Sequence, residues 1–135
     1  MDKVIKDSAE YLVERFKALD YIVQYYESKT TNSIYLKLDY GVAGSIRLSD
    51  HIGKTKLRYT YNVMDGIRDR EVYLDRGVQR YFYGFKHLDM VVADVEANKA
   101  GKIDKFSSYK YKDDMERNRL RGEDSRGFWK KCIIR

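Results

Sequence analysis

Across residues 33–63, apolar side chains recur at every second position: Ile34, Leu36, Leu38 and Tyr40, then Ile46 and Leu48, then Leu57, Tyr59, Tyr61 and Val63. Polar or amphipathic residues fill the alternate places: Tyr35, Lys37 and Asp39, Ser45, Arg47 and Ser49, then Lys56, Arg58, Thr60 and Asn62. Strand side chains point to opposite faces in turn, so this period of two predicts three half-buried strands with one apolar and one wet face. Gly41 and Gly44 bracket a four-residue connection, and residues 50–55 carry Gly53 in a polar loop, which suits a meander of hairpins. Such a meander cannot stand alone in water, so the rest of the chain must cover its apolar face.

Two stretches have the pattern to do so. In residues 3–19, Ile5, Ala9, Leu12, Val13, Phe16 and Leu19 recur at three and four residues, with Asp2 placed as the N-cap. In residues 86–99, Leu88, Val91, Val92 and Val95 form a second stripe, with Gly101 as the expected stop. Residues 21–27 are β-branched and aromatic and predict a strand. Residues 71–74 and 78–82 predict two short strands around Asp75, Arg76 and Gly77. The expected fold is therefore α+β: an antiparallel sheet of about five strands, covered on one face by helices 3–19 and 86–99. The expected organisation is a core domain over residues 1–101 and a basic C-terminal extension over residues 102–135. Within the extension, Asp113 reads as the N-cap of a short helix ended by Gly122.

Charge separates these two parts. Residues 1–98 carry 15 Lys+Arg and 15 Asp+Glu, whereas residues 99–135 carry 12 Lys+Arg against 6 Asp+Glu, so the whole formal excess of +6 sits in the last 37 positions. A basic end of this kind points to a polyanion or an acidic protein surface; the plainer alternative is a solvated tail that keeps the protein soluble. Aromatic residues are interleaved with the cations in Lys105, Phe106, Tyr109, Lys110, Tyr111 and Lys112, and again in Phe128, Trp129, Lys130 and Lys131. Rings that stack on bases beside cations that meet phosphates hold single-stranded nucleic acid, and the same mixture serves protein hot spots. The candidate contact residues are Lys105, Tyr109, Lys110, Tyr111, Lys112, Arg117, Arg119, Arg121, Arg126, Lys130 and Lys131. Trp129 and the two terminal isoleucines have a packing role as the competing account.

Other chemistries find less support. His51 and His87 lie 36 positions apart and Cys132 is far from both, so no zinc spacing exists and no metal or other cofactor is expected. Ser49, Asp50 and His51 supply the residue types of a hydrolase triad, but neighbours on a strand point to opposite faces, and a turn role explains them more simply. His87 is expected to cap the second helix or to lie at its wet edge. The Gly41 to Gly44 connection lacks the Lys and following helix of a phosphate loop. No enzyme is expected. No apolar run approaches 18 residues, which argues against a helical membrane span, and the first 20 residues lack a signal-peptide pattern. The single cysteine suits a reducing compartment, the cytoplasm.

Asn32-Ser33-Ile34-Tyr35 followed by Ser45-Ile46-Arg47-Leu48-Ser49-Asp50-His51 resembles a hairpin signature of small proteins from phages and mobile elements. In that group an aromatic-bearing strand runs into an "I-R-[IL]-S-[DN]-H" strand end, and some members are anti-CRISPR inhibitors of type II RNA-guided nucleases. The resemblance implies an α+β fold, a bacterial host cell and a non-catalytic inhibitor that docks on an RNA-guided nuclease or its guide RNA or DNA. The basic tail departs from the acidic, DNA-mimicking surface of many such inhibitors. The alternative is a basic nucleic-acid-binding protein of a phage or mobile element.

Overall fold

Residues 2–50, 59–123 and 132–135 are described in a computed structural model of the chain. Among them, three helices and a mixed sheet of seven strands make an α+β fold. Helix α1, Lys3–Ala18, starts where Asp2 Oδ1 accepts from the backbone N–H groups of Val4 (2.8 Å) and Ile5 (3.3 Å). This is the capping that its sequence predicts. Its stripe of Ile5, Ala9, Leu12, Val13 and Phe16 is fully buried, and the Phe16 ring meets Tyr21 edge-on at 5.1 Å.

Beneath α1 lie β1 (Val23–Ser28), β2 (Ser33–Leu38) and β3 (Gly44–Ser49), antiparallel in sequence order, with Tyr25 opposite Leu36 and Leu36 opposite Ile46. The period of two does what it predicts on the inner face: Ile34, Leu36, Leu38, Ile46 and Leu48 have no accessible surface. A single 3-10 turn, Asp39–Gly41, joins β2 to β3, with Asp39 (φ 50), Tyr40 (φ 55) and Gly41 (φ 91) all left-handed. Tyr40 therefore belongs to the turn and not to the strand.

The sheet is larger than expected and not purely antiparallel. Strand β4, Tyr61–Met64, lies parallel to β3, with Ile46 beside Tyr61 and Leu48 beside Val63. Alternation along a strand is the same in both directions, so the sequence pattern could not separate them; the loop chemistry of residues 50–55 suggested a hairpin, and residues 51–58 lie outside those described. Tyr61 and Val63 take their inward places, but Tyr59 does not: its ring packs on Tyr35 at 5.1 Å, on the opposite face. Leu57, Lys56 and Arg58 fall outside the described residues.

Strands β5, Glu71–Asp75, and β6, Val78–Tyr83, form the predicted hairpin, turned by Arg76 (φ 52) and Gly77 (φ 80). Two positive φ values in a two-residue loop match the twist of paired strands. β6 lies parallel to β4, and β7, Ile133–Ile134, adds antiparallel to β1, giving the order β5-β6-β4-β3-β2-β1-β7.

The second face is also drier than its sequence predicts. Tyr35, Arg47, Ser49 and Asn62, read as a wet row, are buried. Asn62 Nδ2 donates to the carbonyls of Tyr59 (3.0 Å) and Tyr81 (3.1 Å), while Arg47 donates to Ser33 Oγ (3.3 Å) and lies over the Tyr35 ring. Tyrosine makes this possible, because its flat body covers neighbouring polar groups.

Helix α2, Leu88–Phe106, buries Val91, Val92 and Val95 as expected but runs through Gly101, where a stop was predicted. A Cβ at Gly101 would meet nothing within 4 Å, so glycine there serves no close packing, and its cost in a helix is only about 1 kcal/mol. Ile103, one residue beyond Lys102, packs on the core and repays the extension. The boundary expected after residue 101 thus falls inside a continuous helix. Helix α3, Ser108–Glu123, begins five residues before Asp113, which makes an ion pair inside the helix and is not its cap. It runs past Gly122, the expected end.

Phenol–carboxylate bonds tie the helices down. Tyr21 donates to Glu96 Oε2 (2.8 Å), Tyr83 to Asp94 Oδ2 (2.7 Å), and Tyr111 to Asp39 Oδ2 (2.5 Å). Burial, reinforced by the facing carboxylate, pushes all three phenols far above their ordinary pKa. Three of the thirteen tyrosines are spent on these links.

Candidate nucleic-acid interface

The corner between α2 and α3 gathers most of the exposed rings and cations that the sequence singled out. It turns on one residue. Ser107 ends α2 with its N–H bonded to the Ile103 carbonyl (2.9 Å), and its Oγ accepts from the Lys110 N–H (3.1 Å), capping α3. Its backbone sits at φ 95, ψ 154, a region that is essentially glycine's own and costs on the order of 1–3 kcal/mol for other residues. The side-chain cap offsets part of that strain and lets the chain turn within a single residue.

On either side of Ser107 stand the rings. Phe106 is 49% exposed and Tyr109 82%. The Lys105 ammonium lies 5.1 Å from the Phe106 centroid and that of Lys110 6.0 Å. Cations over a ring face are held by its quadrupole, which fixes their direction without neutralising them. Lys112 is exposed one turn beyond Tyr109 on the same helix face.

The remaining candidates divide. Tyr111 is not available for contact: it is 5% exposed, packed in the main core, and its hydroxyl is spent on Asp39. Lys110 pairs with Asp114 (2.9 Å), Arg117 with Asp113 (2.9 Å) and Arg119 with Glu116 (2.6 Å), all within one turn of α3. Exposed pairs of this kind are screened by water, so they lower the local field without locking the side chains. The sequence of α3 holds five cations and four carboxylates, so the helix adds only one unit to the +6 of the last 37 positions. Lys105, Lys112 and Arg121 have no carboxylate partner among the described residues. Arg126, Lys130, Lys131, Phe128 and Trp129 lie outside the described residues. The last cation, Arg135, is bound back onto the body, both its terminal nitrogens 2.7 Å from the Glu10 carboxylate.

Two anchors that the sequence did not reveal hold the corner in place. Asp39, 2% exposed, accepts from the Ile22 N–H (3.0 Å), Lys99 Nζ (3.2 Å) and the Tyr111 hydroxyl. Asn118 Nδ2 donates to the Tyr40 carbonyl (2.9 Å). Through these bonds Tyr111 and Asn118 of α3 reach Asp39 and Tyr40 of the left-handed β2–β3 turn, whose Gly41 and Gly44 were the available signal.

The hydrolase-type residues are occupied otherwise. Asp50 accepts from Asn32 Nδ2 (2.7 Å), and Ser49 is buried within β3; His51 lies outside the described residues. His87 makes no side-chain cap; its Nε2 meets the Arg68 carbonyl at 2.7 Å. Among the described residues no group of three His, Cys, Asp or Glu is placed to hold a metal ion, and no helix is long and apolar enough to cross a membrane. No family model, curated protein or solved structure matches this chain.

Proposed function

We propose that this chain is a non-catalytic binding protein that holds single-stranded nucleic acid at the α2–α3 corner. The strand is free or carried by a nucleoprotein such as an RNA-guided nuclease. The observation that carries this reading is the exposure of Phe106 and Tyr109 beside Lys105, Lys110 and Lys112. Stacking on a ring contributes about 1–3 kcal/mol per base and tolerates any sequence. Lys105 and Lys112, which have no carboxylate partner among the described residues, meet phosphates and make binding salt-dependent. The test is fluorescence anisotropy with a labelled 12-nucleotide RNA and DNA at 50 mM salt. Replacing both Phe106 and Tyr109 by Ala should weaken binding about 30-fold or more, as the loss of two stacked bases requires. Unchanged affinity in the double variant, with the melting temperature intact, overturns the proposal.

A second reading, the phage-type inhibitor that docks on the protein surface of an RNA-guided nuclease, has its own supporting observation. The β5–β6 hairpin leaves Val72, Tyr73 and Leu74 exposed on the edge strand β5, whose outer side is unpaired among the described residues, with Val78 of β6 exposed beside it. Apolar edges of this kind accept protein partners. Binding to the purified nuclease that survives high salt and is lost on Leu74→Lys favours this reading; binding to bare nucleic acid that falls with salt favours the first.

A further inference from the structure

A cavity of about 430 Å³ opens beside the C-terminal half of α2, where β3, β4 and β6 all begin. Its walls come from the 41–44 turn, from Thr60 and Tyr61, from Gln79 and Tyr81, and from Asn98, Lys99 and Lys102 of α2. Three features give it chemical character. First, among the described residues two lysines line it and no carboxylate does. The charge of Lys99 is answered by Asp39 from behind, but Lys102 Nζ has only the Val42 carbonyl, 2.7 Å away. The ammonium is therefore positioned but not neutralised.

Second, a buried donor is left over. Asn98 Nδ2 donates to the hydroxyls of Tyr61 (2.7 Å) and Tyr81 (3.2 Å), and Tyr81 in turn donates to Gln79 Oε1 (2.9 Å). Tyr61 is 1% exposed, and its own hydroxyl proton has no acceptor among the described residues. A buried donor without an acceptor is costly, and an anionic oxygen supplies one. Third, the space is kept open by glycine: a Cβ at Gly44 (φ 101) would stand 3.0 Å from the Tyr61 ring and 3.7 Å from Thr60 Cβ.

We propose that this cavity is a binding site for a phosphomonoester. The donors are a point-charge ammonium with hydroxyl and amide groups around it, and no arginine lines the site among the described residues. That set suits the three oxygens of a phosphate, for which a lysine ammonium serves as a point-charge partner that needs no planar geometry. The phosphate belongs either to a small free ligand or to the end of a nucleic-acid strand. Lys102 and Lys105 are three residues apart on α2, so one flank of this helix leads from the cavity to the Phe106–Tyr109 corner. Only the strand-end source rests on the nucleic-acid reading; the free-ligand source stands without it.

The test uses the full chain, labelled with 15N, titrated with ribose 5-phosphate and separately with ribose. Saturable amide shifts at Thr60, Asn98 and Lys102 are expected with the phosphate ester alone. Lys102→Met, which keeps the aliphatic stem, should weaken that binding at least tenfold with an unchanged melting temperature, and Lys105→Met should not. A second arm compares 5′-phosphorylated with 5′-hydroxyl tetranucleotides. A preference for the phosphorylated strand that disappears in Lys102→Met identifies a strand end as the source; no preference, with ribose 5-phosphate still bound, identifies a free ester. The paired Ala variant at Phe106 and Tyr109 should leave ribose 5-phosphate binding intact, which separates failure of the corner from failure of the cavity. No saturable shift at millimolar ester, an equal response to ribose, or binding indifferent to Lys102→Met overturns the proposal.

Discussion

Replacing Asp39 tests how the candidate corner is held. The carboxylate is almost wholly buried and accepts three hydrogen bonds, from Ile22 N–H, Lys99 Nζ and Tyr111 Oη. Asp39→Asn keeps an oxygen for Ile22 and an amide that Tyr111 can accept from, and Asn tolerates the left-handed backbone at φ 50. What it loses is the charge opposite Lys99, whose side chain retains 21% exposure and so stays partly solvated. A hydrogen bond to a charged group is worth about 1.5–3 kcal/mol, so the expected loss is about 2 kcal/mol. Asp39→Ala removes the acceptor of all three hydrogen bonds and places a non-polar residue in the left-handed region at a further cost of roughly 1–2 kcal/mol, for about 4–6 kcal/mol in all. Urea unfolding at pH 7 measures both. Tyr111→Phe should cost about 1–2 kcal/mol in the parent and much less in the Asp39→Ala background, a coupling of the size seen for groups in one network. If Asp39→Asn lies within about 0.5 kcal/mol of the parent, or the two substitutions cost the same, then the bonds to Lys99 and Tyr111 do not hold α3 and the reasoning fails.

Further outcomes follow from the same geometry. Ser107→Gly should be neutral or stabilising by up to about 1 kcal/mol, because it releases the strained φ while losing only a few tenths of cap energy, whereas Ser107→Ala keeps the strain and costs about 1 kcal/mol in chemical unfolding. On the alkaline side, burial raises the Tyr25 and Tyr61 phenols to about 12 and Tyr21, Tyr83 and Tyr111 higher still. Their contribution is complete below the unfolded phenol value of about 10 and is lost as pH climbs through 12, so melting temperatures should fall steeply above pH 10. On the acid side, the hydrogen bond from Arg135 holds Glu10 below the usual carboxylate range. That contribution is present above the unfolded value of about 4.3 and disappears as pH drops beneath it; Glu10→Gln should abolish the acid-dependent exchange of the Arg135 amide, which donates to the Val23 carbonyl at 2.9 Å.

Periodicity made the helix–sheet core readable. Five of the α1 stripe residues and the inner row of β2 and β3 sit where their spacing puts them, because burial of one face is what a period of 3.6 or 2 encodes. Direction and termination were not encoded in that way. β4 alternates identically whether parallel or antiparallel to β3, and Gly101 reads as a stop only until Ile103 finds the core. Tyr111 was illegible for a related reason: one buried anchor among Lys and Asp has no period, so its neighbours gave it the look of a surface residue. The cation–ring composition of the corner was visible, but its pairing was not. Carboxylates at i+4 and i−3 or i−4 of Lys110, Arg119 and Arg117 answer those charges, leaving Lys105, Lys112 and Arg121 to carry the field.

The salt dependence of binding to a single strand reaches the central claim most directly. With Lys105, Lys112 and Arg121 each meeting one phosphate, the log of the association constant for a 12-nucleotide strand should fall against log salt with a slope of about −2, since single strands release about 0.7 counterion per phosphate neutralised. Lys105→Met together with Lys112→Met should flatten that slope to less than half while the fold is unchanged. A slope near zero in the parent protein, or a slope that the two substitutions leave as it was, contradicts the account.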